Sequence, residues 1–388
     1  MQSLLTGFDQ VSDTVSGSLA CARFAGMRRV LFVGAGASVP FGVPLTGEIL
    51  PQAVLRLQSG GLFSNAYGRG RHEAEDEKFL QSGLCALYPG IELGGTKVEL
   101  TAALPYITSV LSLLDYLIAN EQPLKPGWDR ARVARLRLLF DRALCEVLSR
   151  RGKRRSGPWR RLMEYLRNQI PDSSHHLTVI TTNYDLTMDM ALAQLSSPEG
   201  LAKIDLGFEF REVDEGRLVP RPGMAAGAGT MARRLALYKL HGSLNYLRCE
   251  VCDQVYMNPD GDISFRAFER ENYDDNTCHC GHYPLRHVIV APSTVRSYRI
   301  PQVLSTWVAA TEALRTAEEW VFAGYSLPAE DLAIRSMLFR AWNARGENTP
   351  SPGITVVQNS RQAEPAYRLL FGKVDYLEGG FENWLPDV

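Results

Sequence analysis

Two short polar segments of the chain contain residue types that could take part in hydrogen bonding and proton transfer at a reacting group. Asn183 lies directly after one apolar run and His241 directly after another. An asparagine side chain both donates and accepts hydrogen bonds, and a histidine titrates near neutral pH. A lone histidine is more often structural, so the two residues indicate a functional site only if further polar segments follow other apolar runs.

A glycine-containing loop is a third such segment. It follows the β-branched, apolar run Arg29–Val33, and a helix is predicted to begin near Thr46. Glycines let the backbone approach a pyrophosphate, and the amides at a helix N-terminus favour an anion. The third glycine of the dinucleotide-binding pattern is missing at its usual spacing, so the loop alone is also compatible with a tight turn that binds no ligand. The candidate phosphate-binding residues are Gly34, Ala35, Gly36, Ala37, Ser38 and Thr46.

A fourth segment, Gly324-Tyr325-Ser326-Leu327, ends another apolar run. In an open parallel sheet, ligands bind outside the carboxyl ends of the strands. We therefore expect the glycine loop, Asn183, His241 and the Gly324–Ser326 turn to converge on one crevice.

Four of the seven cysteines form a cluster with metal-ligand spacing. Two cysteines separated by two residues are followed, after 25 residues, by two more separated by one. Four thiolates suit a tetrahedral, structural zinc ion with no open position for catalysis, and the alternative is a set of surface thiols. His279 and His282 lie close enough in sequence to replace one cysteine. The predicted ligands are Cys249, Cys252, Cys278 and Cys280.

The elements that must position these residues alternate between strand and helix. Six short apolar runs predict strands, and helical periodicity separates several of them. This alternation indicates an α/β fold with a Rossmann-like, doubly wound parallel sheet. A mostly helical insertion is predicted at 52–167 and a small zinc module at 245–286, within one domain spanning 1–388. The predicted strands are 29–33, 177–181, 235–240, 287–291, 320–323 and 354–357.

The composition gives no general attraction to nucleic acid or membrane. The chain has 388 residues, 45% of them apolar, and a formal net charge of −1. No signal peptide or membrane-spanning run is recognised, so we expect a soluble, cytoplasmic protein. The basic stretch Arg150–Arg161 is interpreted as a solvated loop, or alternatively as a phosphate or nucleic-acid contact. The glycine-rich stretch Gly223–Gly229 is interpreted as a loop over a site.

Taken together, these segments resemble the sirtuins, the silent information regulator family. They occur in the family's order over residues 30–359, with a four-cysteine module after the histidine. The resemblance implies that Asn183 and His241 are catalytic, that Asp185 contacts the ribose of NAD, and that Gly324, Ser326 and Asn359 hold the adenosine side. The matching segments are Gly34–Ser38, Gly42–Pro44, Thr181–Asp185, Lys239–Gly242, Gly324–Ser326 and Val356–Asn359.

Two departures from the deacylase pattern bear on activity. The Pro-Asp-Phe-Arg segment after the first loop is replaced by Pro44–Glu48, and the Phe-Gly-Glu that ends the strand after the zinc module is replaced by Ala291-Pro292-Ser293. Both departures remove peptide-side features and leave the NAD-side features. The chain is thus more similar to the sirtuin-like NAD hydrolases of bacterial antiviral defence, which deplete cellular NAD on infection.

The predicted reaction is cleavage of the nicotinamide–ribose bond of NAD, giving nicotinamide and ADP-ribose, with zinc as a structural ion. Alternatives are a protein deacylase or ADP-ribosyltransferase that uses the same NAD chemistry, and a sensor that binds NAD or ADP-ribose without turnover. Because a free NAD hydrolase would be toxic, we expect a homo-oligomer, a HerA-type ATPase or another defence protein as partner.

Overall fold

The structure, a computed structural model, describes most of the chain in ten segments. The glycine-rich stretch 223–229 and the first half of the basic stretch, residues 150–155, lie outside them. The described residues are 28–63, 73–149, 156–169, 176–195, 204–213, 235–259, 261–268, 277–291, 300–345 and 350–387.

Eleven strands are described, and they form two sheets. In chain order they are β1 (Arg29–Val33), β2 (Leu177–Thr181), β3 (Ile204–Asp205), β4 (Arg211–Glu212), β5 (Leu235–Lys239), β6 (Gly242–Arg248), β7 (Val255–Met257), β8 (Arg286–Ile289), β9 (Glu319–Ala323), β10 (Gly353–Gln358) and β11 (Asp375–Glu378). Seven of them make a parallel sheet in the order β11-β10-β9-β1-β2-β5-β3, and four make a smaller sheet in the order β4-β7-β6-β8.

The first strand lies at the centre of the large sheet. All five of its residues are buried, as is expected of an apolar, β-branched strand covered on both faces. Its last residue, Val33, pairs with Thr181 of β2 on one side and with Ala323 of β9 on the other. The chain adds strands to one side of β1 and then returns to build the other side, so the carboxyl ends of β1 and β9 form a topological switch point. The predicted doubly wound fold is confirmed.

Eleven helices are described. The first five pack on one another and share a core that includes Leu111, Phe140 and Leu144. Side chains cap several helices of the chain; the carboxylate of Asp129, for example, accepts from the amide of Arg132 at the start of the helix Arg130–Leu148. In chain order the helices are α1 (Thr46–Gln58), α2 (Glu73–Leu87), α3 (Lys97–Ala103), α4 (Ile107–Ala119), α5 (Arg130–Leu148), α6 (Gly157–Asn168), α7 (Thr187–Leu195), α8 (Pro301–Thr316), α9 (Leu332–Asn343), α10 (Glu364–Phe371) and α11 (Gly380–Trp384).

Helices therefore occupy the described part of the predicted insertion at 52–167, although α1 crosses its first boundary. The exact bounds of that insertion remain a prediction. No single helix among the described ranges is long and apolar enough to cross a membrane. Of these helices, only α3 and α4 together, which are bent by 43° relative to each other, reach that length and apolar composition.

The smaller sheet corrects one expectation. The apolar run after the cysteines is predicted from the sequence to join the series of strands in the large sheet, but β8 pairs antiparallel with β6 in the small one. Gly242 explains the change of sheet, because its φ of +80° and its close approach to the carbonyl of Val288 turn the chain sharply between β5 and β6. The small sheet also contacts the helical layer, since His287 Nε2 lies 2.9 Å from the carboxylate of Asp141 on α5.

Candidate active site

The loop after β1 forms two short 3-10 turns, Ala35–Ala37 and Val39–Phe41, before α1 begins at Thr46. Four of its amides donate to backbone carbonyls. Gly34 donates to the carbonyl of Ala323 and Gly36 to that of Gly324, both at 2.9 Å, while Ala37 and Ser38 donate to carbonyls within the loop. These hydrogen bonds hold the loop against the end of β9, and the binding of a pyrophosphate by the loop stays a prediction.

The glycines of this loop allow two backbones to touch. A Cβ atom on Gly34 would lie 2.6 Å from the carbonyl oxygen of Gly324, and one on Gly36 would lie 3.0 Å from its Cα. Gly324 itself has a φ of +62°, and a Cβ there would lie 2.0 Å from the amide nitrogen of Ala37. The structure thus brings the predicted β1 loop and the predicted β9 turn into direct contact at the switch point.

The turn after β9 is held from several sides. The hydroxyl of Tyr325 donates to Asp331 at 2.7 Å, and the guanidinium of Arg335 donates to the carbonyl of Leu327 at 2.6 Å. Burial, followed by the nearby Asp331 carboxylate, raises the pKa of Tyr325 well above its usual value. Ser326, the predicted adenosine-side residue, is the exposed residue of this rigid turn.

Asn183 is tied directly to the β1 loop. Its side-chain nitrogen donates to the carbonyl of Gly34 and to the hydroxyl oxygen of Ser38, each at 3.0 Å. Because a carbonyl can only accept, the Asn183 nitrogen must face Gly34, and this fixes the orientation of the amide. Both hydrogens of that amide are used, so its oxygen is the atom left to accept a bond from a ligand.

The same contact shows the setting of Ser38, which the sequence predicts to bind a phosphate. Its side chain is 1% exposed, and its oxygen accepts from Asn183. In the structure Ser38 therefore supports the asparagine from within the fold.

His241 follows β5 and is enclosed by aromatic rings. It is 4% exposed, and its ring centroid lies 6.2 Å from that of Tyr184 and 6.4 Å from that of Trp307. Its carbonyl accepts from the amide of Val290 at 2.9 Å, and the indole of Trp307 donates to the neighbouring carbonyl of Leu240. Tyr184 is the residue after Asn183, so the segments that carry the two predicted catalytic residues are in contact.

The remaining predicted residues lie in different settings. Asp185 is 7% exposed, and its carboxylate accepts from the amide of Thr187 at the start of α7, which gives it a capping role. Thr46 is the half-buried first residue of α1. Asn359 is exposed after β10, and its amide oxygen occupies the space that a Cβ on Gly380 would need. Since α11 packs on both β10 and the Ala35–Ala37 turn, Asn359 lies at the rim of the same end of the sheet.

Sequence reasoning overlooked three supporting side chains. The hydroxyl of Thr181 donates to the carbonyl of Val33 at 2.9 Å and accepts from the amide of Asn183 at 3.0 Å. Lys239 and Asp189 form a fully buried ion pair beside the same segment. Lys239 is visible in the sequence as a charged residue that ends an otherwise apolar strand, whereas the position of Asp189 on a helix carries no signal.

The four predicted zinc ligands converge in the small sheet, around the β6–β7 turn. Cys249 and Cys280 have their sulfurs 3.6 Å apart, Cys252 and Cys278 have theirs 3.5 Å apart, and all four lie within 4.8 Å of one another. Tetrahedral zinc–thiolate bonds of about 2.3 Å place sulfurs roughly 3.8 Å apart, so the set fits such an ion. The four cysteines would hold it as a structural crosslink with no open position.

Neither nearby histidine belongs to this ligand set among the described residues. His279 instead places its Nδ1 3.0 Å from the hydroxyl of Tyr256, which in turn lies 3.3 Å from the sulfur of Cys278. Burial raises the pKa of the Cys278 thiol, but hydrogen bonds led by the Cys280 amide and the Tyr256 hydroxyl outweigh it and lower the value to about 6. Tyr256 is thus a neighbour that supports the thiolate form of one ligand.

Comparisons with known proteins find a similarity in fold. No family model and no curated protein matches the chain. Among solved structures, it is similar to one described as the structural basis for the mechanism and regulation of Sir2 enzymes, with a TM-score of 0.39 and 14% identity over 97% of this chain and 96% of the other.

Two further structures match over similar lengths. A mutant Sir2 homologue in complex with ADP-ribose gives a TM-score of 0.36 and 13% identity, over 94% of this chain and 91% of the other. A complex of Sir2, a p53 peptide and NAD+ gives 0.35 and 13%, over 96% of each chain. Similarities at this level concern the fold and carry no argument about ligand or activity, so the function has to be inferred from the chain's own residues.

Proposed function

We propose that this chain is an NAD hydrolase that cleaves the nicotinamide–ribose bond at the carboxyl end of its parallel sheet. The observation that carries the proposal is the pair of hydrogen bonds from Asn183 to Gly34 and Ser38. They attach the predicted catalytic amide to the predicted nucleotide loop at the topological switch point, where open α/β sheets bind ligands. The resemblance of the sequence motifs to those of sirtuins supplies NAD as the ligand.

The chemistry depends on the orientation of the amide. Cleavage of the C1′–nicotinamide bond passes through an oxocarbenium-like state, which is stabilised by negative or partially negative groups nearby. The free oxygen of Asn183 supplies such a dipole and can accept a hydrogen bond from a water molecule or a ribose hydroxyl. His241 would remove a proton from the attacking water as a general base. Gly324, Ser326 and Asn359 would hold the adenosine side.

The surroundings of His241 favour water as the acceptor of ADP-ribose. The side chain is 4% exposed between two aromatic rings, so a small nucleophile reaches it more easily than an acyl-lysine side chain would. The two departures from the deacylase pattern in the sequence support the same choice. A deacylase or an ADP-ribosyltransferase remains the alternative for an enzyme of this chemistry, and a non-catalytic NAD or ADP-ribose sensor is the alternative from another class.

The cellular role proposed here is depletion of NAD in bacterial anti-phage defence, in the cytoplasm. Such an activity must be restrained until infection, and the chain would then act as a homo-oligomer or together with a HerA-type ATPase or another defence protein. Zinc held by the four cysteines would stabilise the small sheet and take no part in the reaction.

The test is incubation of the purified full chain with NAD alone, with nicotinamide and ADP-ribose measured by chromatography. We expect release of both products without any peptide, and a loss of about 100-fold or more in Asn183→Ala and in His241→Ala. Asn343→Ala is the matched control, because this asparagine is exposed on α9 and bonds only within its own helix. Its turnover should equal that of the parent chain.

Each alternative predicts a different result. Turnover retained in either active-site variant removes that residue from the mechanism. Dependence on an acyl-peptide indicates a deacylase, and transfer of ADP-ribose to protein indicates a transferase. A sensor is identified if calorimetry shows that the purified chain binds NAD while no nicotinamide is released, either by the purified chain or in infected cells.

A further inference from the structure

Lys239 and Asp189 form an ion pair in the interior of the protein. The ammonium nitrogen lies 2.6 Å from the carboxylate, and the two side chains are 1% and 0% exposed. Removing two charges from water is energetically unfavourable, and a well-packed apolar pair in the same place is often as stable or more stable. Stability alone is therefore a weak reason for this pair, whereas its contacts connect it to the candidate site.

The ammonium group of Lys239 uses its donors on the segment that carries Asn183. Besides Asp189, it donates to the carbonyl oxygen of Asp185 at 2.5 Å and contacts that of Tyr184 at 3.4 Å. These are the two residues directly after Asn183. Since an ammonium has three donors, all of them are directed at this short stretch of chain and the helix that follows it.

Asp189 is held in turn from the small sheet. Its second carboxylate oxygen accepts from the side-chain nitrogen of Asn245 at 3.0 Å, and the same nitrogen donates to the carbonyl of Asn258 at 2.9 Å. The pair is thus connected on one side to the Asn183 segment and on the other side to β6.

The same contacts involve residues on both sides of His241 in the chain. Lys239 lies two residues before it, at the end of β5, and Leu244 lies three residues after it, on β6. The carbonyl of Tyr184 receives both the ammonium of Lys239 and the amide of Leu244, the latter at 3.2 Å. One carbonyl next to Asn183 therefore bonds to the chain on either side of the histidine.

We propose that Lys239, paired with Asp189, is a positioning residue that sets the placement of Asn183 relative to His241. It contacts no substrate and acts through the backbone of both segments. The expected effect on turnover rests on the proposed function, whereas the coupling of the two segments rests on geometry alone. We expect the ion pair to be required for breaking the nicotinamide–ribose bond and not for binding the dinucleotide.

The experiment replaces the pair by a neutral one, Lys239→Met with Asp189→Asn. Methionine follows the unbranched stem of lysine, and asparagine keeps an oxygen for Asn245, so no unpaired charge is left in the interior. The matched control is Arg29→Met with Glu319→Gln. That pair is also buried, but it joins the amino ends of β1 and β9, at the far edge of the same sheet.

Three measurements are made on both double variants: turnover of NAD, affinity for ADP-ribose by calorimetry, and hydrogen exchange by mass spectrometry. We expect kcat to fall about tenfold or more in the first variant, with the affinity changed by less than about threefold and the control unchanged in both. Exchange should rise together at 182–187 and 241–245 in the first variant and stay at the parent level there in the control.

The outcomes separate this inference from the proposed function. An active parent chain whose kcat survives the neutral pair, or falls equally in the control, overturns the positioning role. A parent chain that releases no nicotinamide refutes the hydrolase, and the exchange result then decides the coupling by itself: faster exchange in both segments supports it, and unchanged exchange refutes it.

Discussion

Gly324→Ala is the substitution that most directly tests how the site is assembled. A Cβ at this position would lie 2.0 Å from the amide nitrogen of Ala37 and 2.5 Å from the carbonyl carbon of Gly36. Both are backbone atoms, so no side chain can rotate away to make room. Gly60 offers a matched control, because its φ of +63° nearly equals the +62° of Gly324 and a Cβ there would meet no heavy atom within 4 Å.

The two substitutions share one cost and differ in another. Alanine in the left-handed region costs about 1–2 kcal/mol at either position. At Gly324 the added methyl group must also push the β1 loop from the β9 turn, and overpacking of this kind costs about 1–3 kcal/mol more. The free energy of unfolding should therefore fall by about 1–2 kcal/mol in Gly60→Ala and by about 2–5 kcal/mol in Gly324→Ala.

Urea denaturation followed by tryptophan fluorescence measures this difference in the free energy of unfolding. ADP-ribose affinity, measured on the folded variants, should fall in Gly324→Ala and stay at the parent value in Gly60→Ala, since only the former displaces the loop that supports Asn183. If both variants lose the same free energy of unfolding, the close approach of the two backbones does not add to the cost of a Cβ at Gly324. That result would refute the loop–turn contact.

Three further predictions concern the supports of the site and the small sheet. Thr181→Val should lose about 1 kcal/mol of stability through its missing hydrogen bonds and should slow nicotinamide release; unchanged kcat would show that Asn183 needs no support from this hydroxyl. Metal analysis should find about one zinc per chain, and Cys252→Ser should lower both that content and the unfolding temperature; full zinc retention would exclude Cys252 as a ligand. Burial raises the pKa of Asp141, but Arg137 and His287 outweigh it and hold the value below its usual range, so the carboxylate contributes stability above about pH 4 that is lost as the pH falls through the lowered value. Asp141→Asn should therefore lower the free energy of unfolding at neutral pH, and the difference from the parent chain should become smaller in acid. A difference in unfolding free energy that stays constant from pH 7 to pH 3 would contradict this.

Local patterns predicted much of the fold because they reflect local physics. An apolar, β-branched run such as Arg29–Val33 that ends at glycine is favourable only as a buried strand followed by a turn, and the structure has that strand at the centre of the sheet. The cysteine spacing likewise predicted a four-sulfur cluster, since each close pair on a tight turn can present two sulfurs to one point.

The same patterns failed where the partner lies far along the chain. The run at 287–291 is as apolar as a strand of the large sheet, but the turn at Gly242 carries β6 away and β8 follows it into the small sheet. The sequence also carried no sign that the amides of Gly34 and Gly36 would donate to the carbonyls of Ala323 and Gly324, nearly 290 residues later. A pattern of a few residues holds no information about such a distant partner.

By itself, the sequence determined which residues stand at the carboxyl ends of the strands: the glycine loop, Asn183, His241 and the Gly324 turn, together with the four thiols. Only the tertiary structure decided what each polar atom does there. Asn183 reaches Gly34 across 149 positions of chain, and the buried Lys239 reaches Asp189 across 50. The reason is that hydrogen bonds and ion pairs depend on distances of about 3 Å, and only the packing of the whole sheet with its helices sets those distances.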